Sequence, residues 1–219
     1  MIGRMSLSAA FLTLGLFCAS FALSAQERPT FGVPKGDGKP ILTDGIFSPG
    51  EWDDALRISI RPNVELLVKK SGGFVYLGFR RSQSSFFVID LFISPDGRAI
   101  RQLHASAQLG ERLLNDVPGT DDDPEFTWGD TADWYANEVR WNAGKAQALM
   151  KEGKSRDDAI AASLYKYDGF EFAIRQSKFG TGEWLIRLES AASPDWTKPL
   201  VFPEGTDAAS TRGWLKLVF

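Results

Sequence analysis

Apolar and polar residues alternate in several short stretches of the chain after residue 55. Leucine and isoleucine alternate with arginine and serine over residues 56–61, and apolar residues again take every second position over residues 64–68. A period of two is typical of β-strands that bury one face. Residues 71–73, Ser-Gly-Gly, connect this second run to a third over residues 74–80, and so short a connection predicts an antiparallel hairpin.

A longer apolar run over residues 86–93 is interrupted by one polar residue, Asp90. Both faces of this run are apolar, which indicates a strand in the middle of a sheet. After a turn, residues 98–108 are predicted to return as one strand that changes face at a bulge. Further strands are predicted at residues 134–141, 170–178, 183–189 and 212–219. Such a series of short strands predicts an all-β fold, an antiparallel two-sheet β-sandwich of the immunoglobulin or jelly-roll type.

Four segments depart from the strand pattern. Residues 26–42 are rich in Pro and Gly, which predicts an extended arm or linker, or a strand added at the sheet edge. Residues 115–133 form the longest predicted loop. Alanine and leucine enrichment, with a helix start at Ser155, predicts one short helical insertion around residues 145–164. Residues 193–209, rich in Pro, Gly and Asp, are predicted to be a loop.

The stretch from Thr43 to Leu56 combines turn residues with a tryptophan and several acids. Asp44 and Gly45 form a strong turn dipeptide, and Ser48-Pro49-Gly50 adds a second turn. Glu51 then begins a short helical turn, where carboxylates compensate unpaired backbone N–H groups. We therefore predict that this stretch caps the domain and that its carboxylates have a structural task.

This order of residues resembles the start of the family 9 carbohydrate-binding modules, β-sandwich domains that are related to the DOMON domains. Asp44, Gly45, Glu51, Trp52 and Ala55 carry the resemblance. Two later stretches support it, residues 74–79 and residues 213–217. The resemblance implies a β-sandwich whose role is to bind saccharide without catalysis. It also implies a clamp of two tryptophans around a terminal sugar and a structural calcium ion, since family members have both.

The first 25 residues are predicted to be a secretory signal peptide. Arg4 precedes an apolar run over residues 7–23, and small residues follow it up to Ala25. The one cysteine of the chain, Cys18, lies in this peptide, so the exported chain is expected to have neither a thiol nor a lipid anchor. We expect a periplasmic or extracellular protein without a membrane span, with its β-sandwich domain over residues 43–219.

Composition argues against several classes of function. A formal net charge of −3 offers no basic surface for nucleic acid. His104 is the one histidine, so a multi-histidine zinc site is not expected. Because Cys18 lies in the predicted signal peptide, the exported chain is also predicted to lack a cysteine nucleophile. No Gly-x-Ser-x-Gly segment accompanies His104, which is predicted to be a strand residue satisfied by its neighbours. We therefore predict no enzymatic activity.

Four alternatives to saccharide binding are also compatible with the sequence. His104 and Met150 are the residue types that hold haem in some DOMON domains. The apolar alternation over residues 215–219 resembles the closing strand of an outer-membrane barrel. Carboxylates of the kind that glycosidases use are plentiful, although nothing in the sequence selects a pair. The fourth alternative is a structural or interaction protein of the cell envelope that has no sugar ligand.

Tryptophans in or beside loops are the candidate ligand-binding residues, because a sugar ring stacks on an indole while its hydroxyls pair with carboxylates. The candidates are Trp128, Trp134 and Trp196, with Asp130 and Asp133 close to them in the sequence. The remaining tryptophans considered are predicted to lie in the core or the cap: Trp52, Trp184 and Trp214.

An acidic run in the longest loop is a candidate metal site. Asp121, Asp122 and Asp123 supply the carboxylate oxygens that Ca²⁺ prefers, and the alternative is a solvated acidic loop. No other cofactor is predicted, and the sequence does not indicate an oligomeric state. The sequence therefore predicts an exported, non-catalytic protein that binds saccharide or cell-envelope glycan.

Overall fold

The computed structural model of the protein consists of two β-sheets that pack face to face. It describes residues 28–36, 41–81, 87–114, 126–192 and 195–219, the first two residues of the last range by their backbone only. The predicted signal peptide lies outside these ranges.

The described residues form thirteen strands and three helices, numbered in chain order. The strands are β1 Thr30–Gly32, β2 Leu56–Arg61, β3 Val64–Ser71, β4 Phe74–Arg81, β5 Phe87–Ser94, β6 Ile100–Ala105, β7 Leu109–Leu114, β8 Thr127–Trp128, β9 Trp134–Ala136, β10 Gly169–Arg175, β11 Glu183–Ala192, β12 Asp195–Phe202 and β13 Leu215–Val218. The helices are α1 Ala143–Lys151, α2 Arg156–Ala161 and α3 Gln176–Phe179.

The smaller sheet has five strands in the order β2-β3-β4-β10-β9, and all its neighbouring strands are antiparallel. The larger sheet has eight strands in the order β1-β13-β11-β5-β6-β7-β8, with β12 also paired to β11. Its strands are antiparallel except that β1 runs parallel to β13. The predicted all-β, two-sheet fold is confirmed, and β1 places part of the predicted arm at a sheet edge.

Alternate side chains of the strands meet between the two sheets. Leu66 and Val68 of β3 and Ile89 and Leu91 of β5 belong to the same core cluster and are fully buried. Burial of each such side chain contributes about 1.5–3 kcal/mol. Because the core occupies the space between the sheets, the opposite face of each sheet is free to carry other features.

The outer face of the smaller sheet is covered by residues 41–55, which we name the cap segment. Trp52 of this segment is 3% exposed and stacks on Phe47, with ring centroids 5.6 Å apart. The indole lies against Gly78 of β4, where an added Cβ would come within 2.9 Å of the Trp52 ring. The absence of a side chain at Gly78 therefore makes room for the tryptophan.

A buried carboxylate at the centre of the smaller sheet anchors the cap segment. Glu171 of β10 is fully buried and accepts hydrogen bonds from the backbone N–H groups of Asp44 and Gly45, at 3.1 and 2.9 Å. Its other oxygen accepts the indole N–H of Trp52 at 2.9 Å. Residues that carry the family 9 resemblance are thus hydrogen-bonded to one side chain that lies more than 110 positions later in the chain.

Glu51 and Lys69 fasten the rest of the cap segment. The Glu51 carboxylate accepts the backbone N–H groups of Leu42 and Ser48, at 2.7 and 3.2 Å. The buried ammonium group of Lys69 donates to the backbone oxygen of Glu51 at 2.7 Å and to the Asp54 carboxylate at 2.9 Å. The predicted structural task of these carboxylates is therefore confirmed.

Stability is expected to fall as the pH rises, because of Glu171. Burial, the largest effect, raises the pKa of Glu171 from 4.5 to about 7, while the hydrogen bonds from Trp52 and Gly45 oppose the shift. The folded protein therefore binds this proton more tightly than the unfolded chain does. The resulting stabilisation is fully present below pH 4.5 and is lost as the pH rises through 7, with a total of about 3 kcal/mol.

Urea denaturation between pH 4.5 and 8 measures this effect, with Glu171→Gln as the control because glutamine does not titrate. The variant is less stable at low pH, since its amide cannot accept all three N–H groups, but it should lack the Glu171 contribution to the slope. Equal slopes for both proteins would contradict the prediction.

Residues 98–108 contain one complete strand, β6, and the turn that follows it, so the prediction of a single bulged strand over this range was wrong. β6 ends at Ala105, and β7 begins at Leu109. The Ser106 hydroxyl accepts the N–H of Gln108 at 3.2 Å, and the Ser106 N–H donates to the Gln108 carbonyl at 3.0 Å. This turn contains neither Gly nor Pro, the residues by which turns are recognised in a sequence.

Part of the predicted loop over residues 193–209 is the strand β12. It pairs with β11 and, among the described strands, with no other. Pro199 lacks a backbone N–H and is tolerated because an edge strand needs hydrogen bonds on one side alone. The proline that argues against a central strand is therefore compatible with this one.

The predicted helical insertion is present but contains two helices, α1 and α2. Asn142 caps α1 by accepting the N–H of Lys145, and Ser155 caps α2 by accepting the N–H of Asp158. Gly153, with φ of 93°, lies in the turn between the helices and explains why one continuous helix does not form. None of the described helices is long and apolar enough to cross a membrane.

Candidate functional site

An exposed tryptophan lies on the outer face of the larger sheet. Trp128 of β8 is 51% exposed and stacks on Phe126, with ring centroids 4.9 Å apart and planes 28° apart. We name these two residues the aromatic patch. Gly110 of β7 is paired in register with Trp128, and an added Cβ there would come within 2.7 Å of the indole. The indole therefore rests directly on the backbone of the neighbouring strand.

Two polar side chains hold the aromatic patch in place. The ring of His104, on β6, meets Trp128 edge-on at 5.2 Å and Phe126 at 5.5 Å. The guanidinium of Arg112 lies 4.5 Å from the centre of the Phe126 ring, within the range of a cation–π interaction. Its Nε atom donates to Gln102 at 2.7 Å. The aromatic patch therefore packs against His104 and Arg112 as well as against the backbone of β7.

His104 is part of a hydrogen-bonded network with Asp90 and Ser106. Its Nδ1 atom lies 2.8 Å from Asp90 Oδ1, and its Nε2 atom lies 3.0 Å from the Ser106 hydroxyl. Both ring nitrogens have partners, which confirms the prediction that His104 is a strand residue satisfied by its neighbours. Asp90 and His104 are directly opposite on β5 and β6, so the strand register itself creates this contact.

The order Ser106–His104–Asp90 is also that of a serine-hydrolase triad. A nucleophilic serine must present its hydroxyl to a substrate carbonyl. The hydroxyl of Ser106 instead contacts both the N–H and the carbonyl of Gln108, and Ser106 is 9% exposed. In this arrangement Ser106 closes the turn after β6 and orients the imidazole.

The structure removes Trp134 from the set of surface tryptophans. It is 3% exposed and packs parallel to Phe172 in the core, with ring centroids 6.1 Å apart. Its indole N–H donates to the buried carboxylate of Glu111 at 2.8 Å. Because no face of this indole is open to a ligand, the expectation that Trp134 binds sugar is corrected.

The two aspartates expected beside the tryptophans serve the loop before β9. Asp130 is exposed and accepts the N–H of Ala132 at 3.1 Å. Asp133, with φ of 64°, forms an exposed ion pair with Arg175 of the smaller sheet at 2.9 Å. Among the described residues, neither forms a hydrogen bond or an ion pair with the aromatic patch.

The side chains of four other predicted ligand-binding residues lie outside the described structure. Trp196 lies in β12, and its side chain is outside the described residues. Asp121, Asp122 and Asp123 are also outside them, so the calcium proposal for this loop stays a prediction. Within the described ranges, no group of three or more histidine, aspartate or glutamate residues is arranged to hold a metal ion.

The two residues considered as haem ligands lie on different kinds of element. His104 belongs to β6, and both nitrogens of its ring are engaged. Met150 lies on α1, with 39% of its surface exposed. Trp184 and Trp214 are buried, as the sequence predicted.

Several residues around the aromatic patch carried no signal in the sequence. Phe126, Arg112 and Gln102 come together only through the pairing of β6, β7 and β8. One usable hint was the alternation of Gln102 and His104 with the apolar residues Leu103 and Ala105, which places the two polar residues on the face away from the core. Once the strands are correctly aligned, these side chains identify the face that carries Trp128.

Comparison with known proteins does not identify a family for the chain. No protein-family model matches the chain, and no curated protein gives a significant match. Among solved structures, the crystal structure of a proposed carbohydrate-binding protein from Bacteroides uniformis ATCC 8492 is similar, with 11% sequence identity and a TM-score of 0.49. The similarity covers 88% of this chain and 100% of that chain. A likeness at this level says nothing about which residues of this chain hold a ligand.

Proposed function

We propose that the protein binds saccharide at the aromatic patch on the outer face of its larger sheet. The observation that carries the proposal is Trp128, which is 51% exposed although it is packed against Gly110, Phe126 and His104. A large apolar side chain that is held rigidly and left open to solvent on one side is characteristic of a binding surface.

The surroundings of the patch fit a ligand with both apolar and polar faces. A sugar ring offers C–H groups to an indole and hydroxyl groups to the polar side chains around it. His104 and Arg112 are partly buried and fixed by hydrogen bonds, so few side chains would lose freedom on binding. This combination favours saccharide over a purely apolar ligand.

The finer parts of the proposal come from the sequence. The apolar run over residues 7–23 supports export to the periplasm or the outside of the cell, where a glycan ligand would be met. The resemblance to family 9 carbohydrate-binding modules supports a non-catalytic role. A structural calcium ion at residues 121–123 belongs to the proposal on the same ground.

Trp128→Ala is expected to lower the affinity for a retained polysaccharide about 30-fold, the factor that 2 kcal/mol at a central aromatic contact represents. Affinity electrophoresis against a panel of soluble plant and bacterial polysaccharides identifies a ligand, and titration calorimetry measures the loss. The melting temperature should change little, because half of the side chain is already exposed. Tyr165→Ala, at an aromatic residue that is 58% exposed outside the patch, is the matched control.

A second variant alters the position of the indole without removing it. Gly110→Ala introduces a Cβ that would lie 2.7 Å from the ring of Trp128, which must tilt away from β7. Saccharide affinity should fall in this variant too, while the exposed ring moves at little cost in stability. If no glycan is retained by the wild-type protein, or if Trp128→Ala binds as well as Tyr165→Ala, the interaction-protein alternative replaces this proposal.

A further inference from the structure

We propose that the binding site continues from Trp128 across the neighbouring strands and holds a chain of several linked sugars in place of a single terminal ring. The inference rests on the proposed function and specifies its ligand class. The far end of this site is formed by Asp90 and Glu189. The function proposed above places neither residue in contact with a ligand.

Strand register arranges these residues in one line, which we name the outer row. Trp128 pairs with Gly110, Gly110 with His104, His104 with Asp90, and Asp90 with Glu189 of β11. Residues that are directly opposite in a sheet share a face. The outer row crosses four strand spacings, or about 19 Å, since neighbouring strands lie about 4.8 Å apart. One sugar ring stacked on Trp128 is too small to reach its other end.

Two carboxylates lie side by side at the far end of the outer row. Asp90 Oδ1 is bonded to His104, and Glu189 Oε2 accepts from Arg187 at 2.7 Å. Within the described part of the chain, the second oxygen of each carboxylate has no hydrogen-bond partner. The two side chains are 21% and 33% exposed. Directly opposite like charges are unfavourable unless donors offset them, and sugar hydroxyls are such donors.

Arg187 adds a second observation at the same end. Its side chain is 5% exposed, and its guanidinium lies 4.8 Å from the centre of the Phe92 ring. Its Nη1 atom is buried and has no partner among the described residues. A buried donor without a partner is a position where a ligand oxygen or a water is expected. This donor is next to Glu189, so a hydrogen-bond donor and an acceptor are both present at the far end of the outer row.

The outer row is accessible from one side and bounded on the other. Val88 and Ala191 pair with each other on one side of it and are small and partly exposed. On the other side, Phe92 and Gln102 are buried, and Phe92 packs edge-on against the buried Trp214. A ligand that runs across the strands would therefore contact Trp128 at one end and the two carboxylates at the other.

Calorimetric titration with cello-, xylo-, malto- and chito-oligosaccharides of one to six sugars tests this inference. We expect affinity to rise over several added sugars and then to level off. Trp128→Ala should weaken binding at every length that binds. Glu189→Gln and Asp90→Asn should weaken the longer oligosaccharides about tenfold and leave the shortest ligand that binds unchanged, because a charge-assisted hydrogen bond to the far sugar is lost.

Glu189→Gln also leaves Arg187 without its ionic partner, so this variant changes more than the contact with sugar. Asp90→Asn keeps an oxygen for His104 and therefore serves as a second, independent variant. Unchanged binding of the shortest ligand shows that a variant is folded. Affinity that does not depend on length, or equal losses at all lengths in the far-end variants, overturns the extended site and leaves the proposed function standing. If no member of the four series binds although a polysaccharide is retained through Trp128, the extended site is likewise rejected, whereas absence of all saccharide binding rejects both.

Discussion

Replacing Trp52 by alanine is expected to lower the free energy of unfolding by about 3–5 kcal/mol, as truncation of a buried aromatic side chain does. The indole fills the space between the cap segment and the smaller sheet, with Phe47 stacked on it and Gly78 beneath it. The change also leaves Glu171 with one hydrogen bond fewer in a buried place. Both losses act on the same contact, so the effect should be among the largest in the protein.

Trp52→Phe separates the two contributions. Phenylalanine retains much of the packing but cannot donate to Glu171, so a loss of about 1–3 kcal/mol is expected. Urea denaturation followed by circular dichroism gives both values without relying on the fluorescence of the replaced residue. An alanine variant within 1 kcal/mol of wild type would show that the cap segment contributes little to stability, contrary to the contacts described.

Gly169→Ala is expected to destabilise the protein by about 3 kcal/mol or more and to lower the yield of folded protein. A Cβ at this position would overlap the carbonyl oxygen of Phe79 and lie 3.0 Å from the Cα of Arg80. Both are backbone atoms of β4, which pairs with β10 at this point. Relief of the overlap therefore requires the two strands to separate.

The matched control for this substitution is Gly182→Ala. Gly182 has no atom within 4 Å of an added Cβ, and its backbone is not in the left-handed region. The same chemical change is therefore expected to be nearly neutral there. Comparison of the two melting temperatures isolates the steric effect, and equal values would mean that β4 and β10 are farther apart than the structure places them.

The strands were predictable where apolar and polar residues alternate in the sequence. The sequence was misleading where turns are built from residues other than Gly and Pro. β2, β3 and β4 were located by their period of two and by the glycines between β3 and β4. The turn after β6 was missed because Ser106 and Gln108 close it with side-chain and backbone hydrogen bonds that leave no Gly or Pro as a sign. β12 was missed because Pro199 argues against a strand unless its edge position is known.

The presence of an exposed tryptophan at the candidate site was predictable, but the residues around it were not. Trp128 was selected because it lies beside a loop, and it is exposed. Trp134 was selected on the same ground, but its indole is directed to Glu111, a buried carboxylate whose burial has no sign in the sequence. Asp90 and His104 are 14 positions apart, and their contact depends on a register that periodicity cannot supply.

The two helices of the insertion join the sandwich through a narrow neck. Trp141 bridges to Leu164, and backbone hydrogen bonds join Asn142 to Ser163 and Arg140 to Tyr165.

A segment whose ends are already held together can change in length or sequence at little cost to the rest of the chain. Met150 lies on this insertion, which contributes no residue to the outer row, and Cys18 is the one native cysteine. In a protein produced without residues 1–25, and so without Cys18, Met150→Cys therefore offers a single thiol for a dye or for surface immobilisation that leaves the outer row unmodified.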